Sequence, residues 1–193
     1  MTTCPPDPQI ATVKSAAVLA SPVRIELIGA LQACGPSSIR DLARHMNRPA
    51  DGLYHHVRLL LRADVIRQTD ERKVGRHREA IYALVAPRIG AALDPASPDG
   101  RQAAVRAAQA ALRLAAREFA AAINASAKPG AGKRTPGLRA SRQKVWLSDR
   151  ALAQLHKSLQ RIERFLNAET RQRSGRLYVL TTVLSPIVKR ERR

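Results

Sequence analysis

The chain has 193 residues, of which 34 are Lys or Arg and 15 are Asp or Glu, giving a formal charge of +19 and a pI of about 11.5. A cationic surplus of that size points to a polyanionic partner, phosphate above all. An aromatic content of 3% argues against a single-strand binder built on stacked bases.

No apolar run reaches transmembrane length, and the opening MTTCPPDPQ has neither the basic nor the apolar region of a signal peptide. A cytoplasmic protein is therefore expected. The two cysteines, Cys4 and Cys34, are too few for a disulfide framework and read as unrelated free thiols.

Residues 1–9 read as a disordered, proline-rich lead, and ATVKSAAVLA as a first helix. Ser21 can cap the next helix, with Pro22 at its first position, where a missing N–H costs nothing. Leu27, Ile28 and Leu31 form one apolar stripe before Gly35-Pro36 ends that helix. SSIRDLARHM gives a short helix with Ile39, Leu42, Ala43 and Met46 on its core side, and NRPADG a turn. LYHHVRLLLRADVI gives a further helix, burying Leu53, Val57, Leu60 and Leu61 at helical spacing. RQTDERKVGRHREAIYAL then reads as a hairpin with its glycine at the tip, fastened to the core by Ile66, Ile81 and Leu84. In this order the parts form a helix-turn-helix followed by a basic β-wing, spanning residues 10–90, and double-stranded DNA is the expected partner.

The opposite face of the second of these two helices carries Asp51, Gly52, Tyr54, His55, Arg58 and Arg62. Tyr54 and His55 lie in the first turns, which normally meet base edges. Gly52 permits close backbone approach, and Arg58 can reach a guanine or a phosphate. Arg48, just before the helix, is a natural phosphate contact. His56, beside Val57, reads as a partly buried structural residue bonded to backbone. The wing offers Arg72, Lys73, Arg76, His77 and Arg78 around Gly75 for phosphates or a narrow minor groove.

Beyond Pro95 and Pro98, residues 98–127 read as a long Ala-rich helix. Val105, Leu112 and Phe119 recur at sevens, with Ala108, Ala115 and Ala122 between them. The stripe fits either a dimer seam of small residues or packing on the helix's own domain. Residues 128–142 form a basic linker; the stretch Lys128 to Lys144 holds six cations and no acids. Residues 143–188 read as a small βαβ module. Its strands are KVWL and RLYVLTTVL, and its helix is capped by Ser148, with Leu152, Leu155, Leu159, Ile162 and Leu166 at alternating threes and fours. Two strands are marginal alone, so a partner subunit would complete that sheet. A basic tail, 189–193, follows. The expected fold class is mainly α with small β.

Four segments resemble the ArsR-like winged-helix family of bacterial transcriptional regulators: SPVRIELIGAL, SIRDLARHM, LYHHVRLLLRADVI, and a wing whose GR precedes IYAL. The resemblance covers about residues 15 to 88. It implies a homodimer bound to a roughly palindromic operator, usually as a repressor. Two departures stand out. Asp64 replaces the glycine frequent after the recognition helix, and aspartate tolerates the left-handed conformation. The Cys-x-Cys pair of metal-sensing members is missing from SIRDLARHM, so neither metal nor cofactor is expected. The C-terminal module resembles extensions of some members, with no role carried over; a small-molecule effector stays open.

An architectural, nonspecific nucleic-acid binder is the competing expectation, because basic linkers bind any polyanion through counterion release. No Gly-rich phosphate loop, metal-ligand set or nucleophile–base pair supports an enzyme.

Overall fold

The computed structural model describes residues 10–13, 16–91, 96–126, 137–172 and 175–187. The proline-rich lead with Cys4, most of the basic linker and the basic tail lie outside the described residues. No described helix is long and apolar enough to cross a membrane.

The described chain is helix-rich with a small antiparallel sheet. Strand β1 (Ile10–Val13) and a 3-10 turn (Ala16–Leu19) precede α1 (Pro22–Cys34), the two-residue strand β2 (Ser37–Ser38), α2 (Ile39–His45) and α3 (Asp51–Arg62). Strands β3 (Ile66–Val74), β4 (His77–Leu84) and β5 (Arg88–Ala91) follow, then α4 (Pro98–Ser126) and α5 (Asp149–Gln172). Strands β2, β4 and β3 form one antiparallel sheet in that order, while β1 pairs in parallel with β5. The first-helix reading of ATVKSAAVLA therefore fails. Thr12 and Val13 are stiff at χ1 and suit an extended chain, and β5 supplies the ladder that a helix would forgo.

Each of the three central helices buries the stripe its spacing sets out, except that Leu61 of α3 is only half-buried. Leu27 and Leu31 of α1, Leu42 of α2, and Leu53, Val57 and Leu60 of α3 meet Val65 and Ile66 in one core. Leu27, Leu42, Leu53, Leu60 and Val65 are fully enclosed, so truncating any of the leucines to alanine carries the 2–5 kcal/mol typical of core leucines, roughly. Tyr82 and Leu84 of β4 pack on this core; Ile81 is half-buried.

Both helix ends around α3 close by the same device. Asn47 (φ 51°) and Asp64 (φ 53°) adopt the left-handed conformation. After α2, Arg48 N donates to Ala43 O at 2.9 Å and Asn47 N to Arg44 O at 3.2 Å. After α3, Val65 N donates to Leu60 O at 3.0 Å and Asp64 N to Leu61 O at 3.1 Å. Both are Schellman motifs, and the second places buried Val65 against buried Leu60. Asp64 thus fills the place of the expected glycine.

The hairpin pairs Ile66 with Leu84 through to Val74 with His77, leaving Gly75-Arg76 as a two-residue loop. Gly75 has φ 61°, as the first residue of a type II′ turn requires. A register shift between Gln68 and Asp70 bends the outgoing strand.

Helix α4 starts at Ser97, whose Oγ accepts from Gly100 N at 3.2 Å. It packs on the 3-10 turn and α1 through Ala103, Ala110 and Leu114, all buried. Val105, Leu112 and Phe119 stay exposed on its other side. The periodic stripe is thus not the face that α4 turns to its own domain.

Helix α5 forms as expected, capped by Ser148, whose Oγ accepts from Ala151 N at 3.3 Å. Its flanks do not behave as read. Residues 138–148 and 176–187 carry no strand, and among the described residues there is no βαβ sheet. The parallel β1–β5 pair has the core beside it, where Ile89 packs, whereas the described residues of these two flanks are not buried, so a strand pair there would lack a covering layer.

Candidate nucleic-acid interface

Helix α3 has two faces of opposite character. Leu53, Val57 and Leu60 are buried, whereas Asp51, Gly52, Tyr54, His55, Arg58 and Arg62 are exposed. Arg58 and Arg62 have no ion-pair partner among the described residues, and a Cβ added at Gly52 would meet no atom within 4 Å. An apolar side therefore fixes the helix while a polar side faces out along its whole length.

The adjacent imidazoles of His55 and His56 lie edge to face, with ring centroids 5.6 Å apart. His55 is exposed. His56 is half-buried and its Nδ1 is enclosed without a hydrogen-bond partner, so the expected bond to backbone is not made. Burial, then the positive charges of Arg24, His55 and Arg48, hold its pKa below the ordinary histidine value. The neutral form of His56 is favoured accordingly.

The turn into α3 is held by α1 and α4. Arg48 donates from Nε and Nη2 to Glu26 Oε2 at 3.2 and 3.0 Å, and Arg117 of α4 donates to the same oxygen at 2.9 Å. Arg48, read as a phosphate contact, is thus half-buried and tied to Glu26. Next to this cluster, Glu118 has a buried Oε2 with no partner. Burial, reinforced by Glu26, pushes its carboxyl above the usual glutamate value against the opposing pull of Arg117.

The hairpin cations divide into two groups. Arg72 turns toward α2, where it donates to Asp41 at 2.9 Å and to Glu79 at 3.0 Å, and Arg78 donates to Glu71 at 3.3 Å. Lys73, Arg76 and His77 at the tip are exposed and have no partner among the described residues. Of the five side chains read as one basic patch, two are tethered and three project.

Asp41 anchors this arrangement from a capping box. Its backbone N donates to Ser38 Oγ at 3.2 Å, while Ser38 N and Oγ donate to its carboxylate at 3.3 and 2.9 Å. Arg44 and Arg72 add charged donors. Burial alone would raise the Asp41 pKa, but the bonds from Ser38 and Arg44 and the charge of Arg72 outweigh it and hold the carboxyl below its usual value. Glu79 is lowered likewise, first by its bond from Arg72.

Between α2, the turn and the hairpin lies an open groove of about 740 Å³, bordered by Arg40, Arg44, Arg48 and Arg72. Arg40 pairs with Glu79 at 3.0 Å, yet its side chain is 62% exposed, and that of Arg44 is 78% exposed. Sequence reasoning overlooked both; their spacing of four on α2, opposite Leu42, was the available signal. It also overlooked the carboxylates Glu26, Asp41 and Glu79. Among the described residues no three His, Cys, Asp or Glu side chains gather as a metal site would need. Cys34 is a free thiol with its Sγ 3.3 Å from His45 Nδ1.

The HVO_A0114 family model matches residues 19–81, the stretch from the end of the 3-10 turn through α1, α2 and α3 into β4. No curated protein matches the chain. The part similar to that family is thus the core that carries the two-faced helix and most of the hairpin, about a third of the sequence.

Proposed function

We propose that this protein is a sequence-specific transcriptional regulator that binds double-stranded DNA as a homodimer in the cytoplasm and acts as a repressor. In this reading α1–α3 with the β3–β4 hairpin form a winged helix-turn-helix of the ArsR-like kind. Helix α3 enters the major groove, with Tyr54 and His55 at base edges and Arg58 and Arg62 reaching a base or the backbone. Lys73, Arg76 and His77 at the hairpin tip meet phosphates or the minor groove. Arg48, Arg72 and Arg78 serve as positioning residues that hold the turn and the wing through Glu26, Asp41, Glu79 and Glu71.

The observation that carries this reading is the outward polar face of α3 beside an unpaired cationic hairpin tip, in a chain of charge +19. The test is binding to the duplex upstream of the protein's own gene against a shuffled duplex, titrated in salt. The expected result is a preference of several kcal/mol, on the order of 4 or more, for the native sequence. Equal affinity for both, fading together as salt rises, would replace this reading with that of an architectural binder.

A further inference from the structure

The C-terminal stretch departs from the packing seen in the rest of the chain. Of nineteen large apolar side chains exposed among the described residues, thirteen lie between Val145 and Ile187. Trp146 is 95% exposed, and among the described residues from 137 to 187 none is buried. On α5, Leu152, Leu155, Leu159, Ile162 and Leu166 keep their alternation of threes and fours, yet Ile162 and Leu166 are exposed and Phe165 beside them is 61% exposed. The segments on either side of α5 come together at Gly137 and Tyr178. There the ring of Tyr178 lies 3.3 Å from where a Cβ at Gly137 would stand. No ladder pairs them.

We propose that residues 137–187 form a self-association module whose apolar surface is covered by a second copy of this chain. Area is the first reason. Side chains exposed to this degree present on the order of 1,000 Å² of apolar surface per chain, where the largest single apolar patch of a monomer is typically a few hundred. Two copies would bury roughly 2,000 Å², which is where obligate homodimer interfaces begin. The α5 seam is the second reason, since a three-four alternation seats its side chains into the matching holes of a like helix. Symmetry is the third. A two-fold interface is self-complementary, so one patch serves both partners. Residues 138–148 and 176–187 carry no strand among the described residues, and a second copy would offer them strand neighbours. The inference rests on the homodimer of the proposed function and names its interface, while DNA binding is tested separately.

Trp146 is the chain's only tryptophan, so its fluorescence reports this surface without any substitution. The experiment is sedimentation of the full-length chain, with Trp146 emission and quenching followed over a dilution series. The expected result is the mass of two chains with a blue-shifted, quencher-protected Trp146. Leu180→Asp with Val183→Asp should halve the mass and expose the indole, while circular dichroism shows the helices retained. A monomer at every concentration would overturn the proposal, whether its Trp146 is open or shielded. A dimer with Trp146 open to quencher would also overturn it, as would one that Leu112→Glu dissociates and the double aspartate variant does not. Titration of a half-site duplex with the dissociated variant reads DNA binding separately.

Discussion

Ser38, Asp41, Arg72 and Glu79 show how single side chains join separate pieces of this fold. The Ser-x-x-Asp spacing that caps α2 also builds the carboxylate on which the hairpin's Arg72 lands. Both acids have folded pKa values below their ordinary ones, so they bind fewer protons folded than unfolded. Their contribution to stability is present above the unfolded carboxylate range and is lost as pH falls through the folded values. We expect urea stability to decline on acidification below about pH 4. Asp41→Asn should lower stability at neutral pH and flatten that acid decline; parallel pH profiles for variant and parent would refute the assignment. The same residues show what sequence reading can reach. The spacing of Ser38 and Asp41 carries the signal of a capping box, which the sequence reading left unused. The landing of Arg72 on Asp41, 31 positions away, has no such signal, because the β3–β4 register decides it.

At the scale of elements, α3 is the part most plainly written in the sequence. Its apolar positions recur at three and four, and its polar positions fall on the other side, so burial of one face dictates exposure of the other. Tyr54→Ala or His55→Ala should therefore leave thermal stability nearly unchanged, since both side chains are exposed, while weakening binding to the specific duplex. The expected cost is about 1–3 kcal/mol for each base edge no longer read, followed by anisotropy. Unchanged affinity for that duplex in both variants would remove this face of α3 from the proposed interface. The hairpin was equally legible from Gly75 between two strand-like runs. The chain before α1 was not. Its alanines favour a helix locally, and only β5, brought alongside from more than 70 positions later, makes a strand of Ile10–Val13.

Across the whole molecule, charge and apolar surface are unevenly placed. Residues Lys128 to Lys144 add six cations and no acids between the α4 and α5 regions. Replacing these six with glutamine should lower affinity for shuffled and native duplex alike. The salt dependence should become shallower by about 0.9 for each phosphate the variant no longer neutralises. A weakening confined to the native duplex would instead place those cations in the specific complex. Composition and periodicity alone determined the strong positive charge, the helices α1 to α5 and the buried stripes of the central three. These depend on local spacing and on summed charge, which a sequence states directly. Tertiary structure decided the pairing of β1 with β5, the face by which α4 packs, the division of the arginines into tethered and projecting, and the lack of strands among the described residues around α5. Each of these turns on which distant groups meet, and helix period, strand alternation and composition carry no information about that.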